Sequence, residues 1–441
     1  MNSNARLDWP ALDLPLPLPV SRDAIAQTRH KRLPIVIEEA QRAPFHRQRL
    51  SGIDTSRLDD PNEWRKIPIL EKEDLRALTP TQFMRDYNIA PRSAIMEYWR
   101  SGGSTGQPLF YPRTFEDMRY MYQGFTRGIE CMGPKAGDTA HLSFPLGIHP
   151  VGHMYARVCQ HIGIGVNWAG SGTSTPSAVQ VQLIQSLAPT VWMGMSSYAL
   201  HLANHAEAAG IDLAAGSVER IVCSAEPLSA AKRAKIEHSW GAKVYDSFGM
   251  TECCLMGCED GATDGFRIWD DMFYTEVLDP DSLEPVDEGE TGLLVTTPLW
   301  SNNATPFIRW NSGDLVSYQS SVADGKAFSV FSIIKHAQRT TGFFKVRGVN
   351  INHTEFEDFI FCEEQIRDFK AEIVTVHGLD RLRLSLEFRD GADRTTLKDK
   401  IERLTKQTFE VTPEVVSLKS GTLATEFEGA VKAPRFQDNR A

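Results

Sequence analysis

Residues Arg100 to Pro108 read RSGGSTGQP, and in Ser101, Gly102, Gly103, Ser104, Thr105 and Gly106 they combine backbone freedom with uncharged hydroxyl donors. Glycine lets the main chain approach a ligand closely and hydroxyls donate without charge, which is the chemistry of a phosphate cradle. The spacing is not that of the usual nucleotide P-loop, because Gln107 stands where a lysine is expected. The same composition also makes a surface turn. A second stretch, Tyr245 to Glu252 (YDSFGMTE), holds Asp246, Ser247, Phe248, Gly249, Met250, Thr251 and Glu252. Its aromatic ring can stack on a purine, its threonine can donate to a phosphate, and its glutamate can hold Mg²⁺, which takes oxygen ligands and leans on phosphates. The alternative is a buried Phe beside an N-capping Thr and a first-turn Glu. Two further groups follow: RWNSGD ending at Asp314, and QRTTGFFKVRG from Gln338 to Gly348, with Arg339, Thr341, Lys345, Arg347 and Gly348. An Asp after glycine also reads as a turn residue, and an Arg beside a linker as a solvated charge.

The elements that must position these groups fall into three styles. Residues 1 to 22 are proline-rich, Arg22 to Leu50 carries helical periodicity, and Pro68 to Leu75 reads as a strand end feeding an acid-rich first helical turn. Met118, Met121, Tyr122, Phe125 and Ile129 form a core-facing helical stripe. Short apolar runs at 140–144, 191–195, 220–223 and 243–245 then alternate with helical patterns such as 177–187 and 229–240, the signature of a helix-covered sheet. Runs at 273–278, 292–297 and 328–336, joined by turns such as DPDSLEPVDEGETG, predict a mainly β subdomain. Beyond a break at 335–342 come a strand (343–346), a helix (354–365), strands at 372–376 and 383–388, a helix (395–408) and a strand near Val415. The fold class is therefore α/β, with a large N-terminal domain (1–337) of helix-covered sheets plus a β subdomain, and a small C-terminal α+β domain (338–441).

A chain of 441 residues exceeds one ordinary core, and 47 basic against 57 acidic residues without long blocks argues against a nucleic-acid-coating surface. Seven scattered cysteines fit reduced thiols better than a disulfide framework. The N-terminal residues have proline-broken apolar positions, and no run approaches the roughly 20 apolar residues of a membrane helix. These features predict a cytoplasmic protein without a secretory leader.

Taken together and in this order, SGGSTG, YDSFGMTE, RWNSGD and QRTTGFFKVRGVNI resemble the core motifs of the adenylate-forming enzymes, which include acyl-CoA synthetases, adenylation domains and luciferases. KIPILEKEDLRAL, CSAEPLS and FRIWDDMFYTEVLDPDSLEPVDEGETGLLVTT narrow the resemblance to the phenylacetate-CoA ligase branch, from about residue 25 to the C-terminus. The resemblance implies ATP, Mg²⁺ and coenzyme A as cofactors and a small carboxylic acid as substrate. Ser101, Gly102, Gly103, Ser104, Thr105 and Gly106 would embrace the β- and γ-phosphates. Ser224, Ala225, Glu226, Pro227, Asp246, Ser247, Gly249 and Met250 would border the adenosine site, with Phe248 stacked on adenine. Thr251 would touch the α-phosphate, Glu252 would hold Mg²⁺, and Asp314 and Arg339 would bind the ribose. Lys345, Arg347 and Gly348 would serve coenzyme A. No cysteine need be catalytic.

The family's adenylation lysine lies near the C-terminus after Glu-Gly. Here Ala430 follows Glu428-Gly429, and aligning KAPRFQD assigns the role to Lys432. The resemblance also implies that the small C-terminal α+β domain is mobile, hinged near 339–342, and the hinge position, usually Asp or Lys, is Thr341. Gln107 removes one charge from the pyrophosphate side. Ser317 to His336 lacks the cysteines with which many relatives hold zinc, so zinc is not expected, although Cys258 remains at the upstream ligand's place. The acyl-pocket segment SFPLGIHPVGHMY supplies Phe144, Pro145, His149 and His153, and with the branch it predicts an aromatic or heteroaromatic acid. Transfer to a carrier-protein phosphopantetheine or an amine remains an alternative, as does a catalytically silent relative, which Gln107, Thr341 and Ala430 motivate. Dimers are common among similar enzymes.

Overall fold

The computed structural model describes residues 14–100, 109–320, 325–339, 343–346, 349–376, 379–428 and 433–440. Ser101 to Gly106, Gln107, Thr341, Arg347, Gly348, Ala430 and Lys432 lie outside them. The chain divides into two compact units, one of residues 1–137, 146–165 and 245–340, the other of 138–145, 166–244 and 341–441.

In the first unit, helical periodicity over 22–50 resolves into the helix Arg22–Ala40 and a separate short helix Pro44–Arg49. Pro44 opens the second helix, where its missing N–H costs nothing, whereas Pro34 lies inside the long helix. Leu33, Val36, Ile37 and Ala40 bury one face of the long helix in a cluster with Trp64, Ile67, Leu299 and Ile308. Leu70 bridges to Trp310, and Glu71 and Asp74 form a capping box on the helix Lys72–Arg76, as the acid-rich turn predicted. The stripe from Met118 to Ile129 faces inward on the helix Phe115–Met132.

An antiparallel run of strands forms the scaffold of this unit. Its order is Phe273–Leu278, Thr291–Pro298, Trp310–Gln319, Ile333–Arg339, Phe266–Ile268, Cys254–Cys258 and Lys243–Met250, the last belonging here from Tyr245. The apolar run 328–336 is a strand only from Ile333. Ahead of it Ser329 N–H donates to Lys326 O in a turn, and Phe331 is buried with its ring 5.2 Å from that of Trp269. Burial in a turn thus imitates a strand pattern. A hairpin of Ile95–Arg100 and Phe110–Thr114, absent from the sequence reading, flanks residues 101–108.

The second unit has the strands Arg220–Ser224, Val191–Gly194 and Thr139–Leu142 side by side and parallel, with Gly165–Trp168 next in order, the helices Ser177–Leu187 and Ser196–Ala208 between strands in the chain and Ala230–Trp240 after Arg220–Ser224. That is the predicted alternation. Its C-terminal portion pairs Ile366–Val376 with Leu379–Phe388 as a hairpin longer than the alternating residues suggested, and adds Glu414–Leu418 and Phe436–Asp438 as parallel edge strands. Within the unit this portion meets the helices Ser196–Ala208 and Ala230–Trp240 through polar groups. Lys232 pairs with Glu357 at 2.8 Å, Asp358 accepts from Ala231 N–H at 2.7 Å, and Asp368 accepts from Asn204 and from the buried guanidinium of Arg435 at 2.8 and 3.0 Å. Among the described residues no helix is long and apolar enough to cross a membrane.

Candidate active site

The turn Thr251–Cys253 joins two strands of the first unit and carries the predicted phosphate and metal residues. Gly249 is required there, since a Cβ would lie 2.4 Å from Cys254 O. Cys254 itself has φ 78°, a conformation in which non-glycine residues are strained. The turn is held from the strand Phe110–Thr114, which follows residues 101–108 directly. The fully buried guanidinium of Arg113 donates to Thr251 O at 2.6 Å, to Glu252 O at 2.8 Å and to Thr305 Oγ1 at 3.2 Å. Two residues earlier, Tyr111 Oη donates to Glu252 Oε1 at 3.1 Å. Neither Arg113 nor Tyr111 was singled out from the sequence. An arginine and a tyrosine alternating just past a glycine-rich loop were the available signal.

Asp246 is buried, with its N–H on Glu259 Oε2 at 2.8 Å, and its carboxylate accepts from Ser247 N–H. Ser247 Oγ lies 2.8 Å from Tyr155 Oη, whose acidity burial suppresses strongly. Phe248 packs beside Phe266, ring centroids 5.6 Å apart, and 6.3 Å from His336. His336 in turn reaches Asp314: Nε2 lies 3.2 Å from Oδ1 of that nearly inaccessible carboxylate. Arg339 is the cross-strand partner of Asp314 in the backbone register. The first unit therefore places Asp246 to Glu252, Asp314 and the Arg339 backbone in one antiparallel sheet, the Asp314 and Arg339 strands adjoining and two strands lying between them and the strand of Asp246. Of the acyl-pocket residues on this unit, His153 is engaged with its own loop, accepting from Gly147 N–H at 3.1 Å, and His149 precedes the helix Pro150–His161.

In the second unit the parallel strands end at Phe144 and Pro145, at Met195, and at Ser224 to Pro227, the edge where open α/β sheets bind ligands. Ala225 holds φ 69°. The Glu226 carboxylate accepts from Ser197 N–H at 2.9 Å, from Ser197 Oγ at 2.8 Å and from Ser196 Oγ at 3.3 Å, so it caps the helix Ser196–Ala208. A buried polar network braces the same edge. Gln180 Oε1 accepts from Ser143 Oγ at 2.8 Å, His141 lies 3.2 Å away, and Gln180 Nε2 donates to Gly170 O and Thr175 O. Just ahead of residues 429–432, Glu428 accepts from Ser177 N–H at 2.7 Å and from His201 Nε2 at 2.9 Å. Gly172 leaves room for the Glu428 main chain, since a Cβ there would sit 2.9 Å from Glu428 O. Lys345 is exposed on the strand Phe343–Val346. Cys258 is buried, and no group of three His, Cys, Asp or Glu side chains able to hold a metal occurs among the described residues.

This scaffold, with a carboxylate-bearing turn beside an aromatic and an aspartate, belongs to a recognised class: residues 54–298, more than half of the chain, match the AMP-binding enzyme family, and the chain is a member of it. Its particular branch is phenylacetate-CoA ligase-like. The chain is 27% identical over 417 residues to a phenylacetate-coenzyme A ligase of Pseudomonas putida, covering 91% of this chain and 92% of the relative. It is 28% identical over 372 residues to one of Thermus thermophilus, covering 82% and 81%. Among solved structures it superposes with a TM-score of 0.82 and 25% identity on 2-hydroxyisobutyryl-CoA ligase in the postadenylation state in complex with 2-HIB-AMP, covering 95% of this chain and 89% of that one.

Proposed function

We propose that the protein activates a carboxylic acid, aromatic or heteroaromatic, with ATP and passes the acyl group to the thiol of coenzyme A. The observation that carries the reading is that Phe248, the Glu252 turn, Asp314 and the Arg339 backbone belong to one antiparallel sheet, where the His336 ring lies beside both Phe248 and Asp314, in a chain of the AMP-binding enzyme family. The substrate carboxylate attacks the α-phosphorus of ATP and expels pyrophosphate. Anion meets anion, so the rate depends on neutralisation and alignment. Glu252 is a fitting Mg²⁺ ligand, because that ion takes one or two carboxylates and completes its shell with water and phosphate oxygens. When bound, Mg²⁺ neutralises phosphate charge as it develops. Arg113 and Tyr111 fix the Glu252 main chain and carboxylate, so that no reorganisation is needed at the moment of reaction.

Asp314 receives the ribose hydroxyls and Phe248 stacks on adenine. Lys432 supplies the remaining positive charge, a burden increased by Gln107 in the phosphate loop. In the second step the coenzyme A thiol loses its proton, its sulfur bonds to the acyl carbon, and AMP leaves. The C-terminal portion from about residue 338 rotates between the two steps, and its polar contacts with the helices of its own unit suit a surface that must part and re-form.

The test is incubation with ATP, Mg²⁺, coenzyme A and a panel of aryl, heteroaryl and small hydroxy acids, with pyrophosphate and thioester followed by mass spectrometry. Both products with an aryl acid are expected. Thioester only with a small hydroxy acid would overturn the substrate class. Pyrophosphate without thioester would move the acceptor to a carrier protein or an amine.

A further inference from the structure

We propose that His336 is a positioning and specificity-determining residue for the nucleotide, acting through Asp314 to set how strongly the site demands the ribose hydroxyls. The proposal rests on the ribose role assigned to Asp314 above. The strands Trp310–Gln319 and Ile333–Arg339 pair antiparallel, with Leu315 opposite Gln338 and Val316 opposite His336. Ala337 is therefore an extra residue, and the ladder is interrupted by a bulge. Bulges re-aim the side chains beside them and recur next to active sites. Here the imidazole Nε2 comes to 3.2 Å from Asp314 Oδ1.

The two side chains differ in exposure in a way that suits this division of labour. Asp314 is 3% exposed and His336 20% exposed, so the carboxylate is the buried member and the imidazole its solvent-side neighbour. A carboxylate can accept through both oxygens, and a ring N–H donated to one of them fixes the plane in which the other is presented. On its other side the His336 ring stands 6.3 Å from Phe248, tilted at 46°, so one imidazole adjoins both the proposed adenine platform and the proposed ribose acceptor. The chemistry thus selected is a purine nucleotide with an intact ribose, at the expense of its 2′-deoxy counterpart.

Calorimetric titration with AMP and with 2′-deoxy-AMP tests this without knowledge of the acid. Wild-type protein is expected to prefer AMP, and His336→Gln, which keeps a donor at a different reach, to narrow that preference about fivefold. His336→Ala is expected to narrow it about tenfold, with an unchanged thermal midpoint. In an Asp314→Asn background His336→Ala should add nothing further, because residues acting through one group are not additive. Unchanged AMP preference in both His336 variants, or fully additive losses with Asp314→Asn, would overturn the proposal. Failure of wild-type protein to bind AMP would instead overturn the underlying ribose reading.

Discussion

Replacing Arg113 by methionine removes three donated hydrogen bonds at nearly constant side-chain length and tests whether the strand after the phosphate loop holds the Thr251–Glu252 turn. The guanidinium is fully buried, and it satisfies the carbonyls of Thr251 and Glu252 and the hydroxyl of Thr305. Each acceptor left unpaired costs about 1–3 kcal/mol. Against that, Arg113 Nε is itself buried without a hydrogen-bond partner among the described residues, and losing it returns about 1 kcal/mol. The net destabilisation is about 2–8 kcal/mol, a range that includes the cost of breaking a buried charged network. The catalytic effect is separate: a turn displaced by an ångström misaligns Glu252 and costs on the order of 10²-fold in turnover. Arg113→Lys keeps the charge but loses the fork, and should fall between wild type and methionine on both scales. Urea unfolding gives the first quantity, and pyrophosphate release at saturating ATP gives the second. Stability within about 0.5 kcal/mol of wild type, or full turnover in Arg113→Met, would refute the reasoning.

Tyr111→Phe removes only the hydroxyl on Glu252 Oε1, so it should raise the Mg²⁺ concentration for half-maximal pyrophosphate release several-fold while leaving the urea midpoint nearly unchanged; an unaltered Mg²⁺ curve contradicts this. Lys432→Ala should suppress adenylate formation by at least about 10²-fold yet largely spare thioester formation from supplied acyl-AMP, since only the first step sets anion against anion. If adenylation survives, the lysine lies elsewhere. Stability should fall as pH drops from about 6.5 toward 4. Burial lowers His46, His141 and His353 each to about 4, so they stay neutral in the folded chain while the unfolded chain takes up protons. Asp270, raised by burial to about 6, and Glu130 and Glu387, also raised by burial, work in the opposite sense over part of that range, while His201, lowered by burial, adds to the histidines. A thermal midpoint flat from pH 7 to pH 4.5 contradicts the assignment.

Motif residues with distinctive types are legible in the sequence, and Glu252, Phe248 and Asp314 fall within one antiparallel sheet of the first unit and its turns, while the alternation of strands and helices over 140–240 is the one observed. What the sequence concealed is pairwise. Arg113, Tyr111 and His336 act on residues more than twenty positions away, or across a bulge that no local pattern announces. Phe328 to Phe331 misled because an apolar turn buried against Trp269 has the composition of a strand. Glu226, expected to border the adenosine site, also accepts from the first turn of the helix Ser196–Ala208, a contact between distant stretches that no local pattern announces.

The most direct measurement is isotope exchange between labelled pyrophosphate and ATP in the absence of coenzyme A. An acid activated as its adenylate before any thiol arrives must support that exchange by itself, and the account predicts exchange that depends on an aryl acid and is reduced in Glu252→Gln. Exchange absent with every acid, or present only once coenzyme A is added, would contradict it.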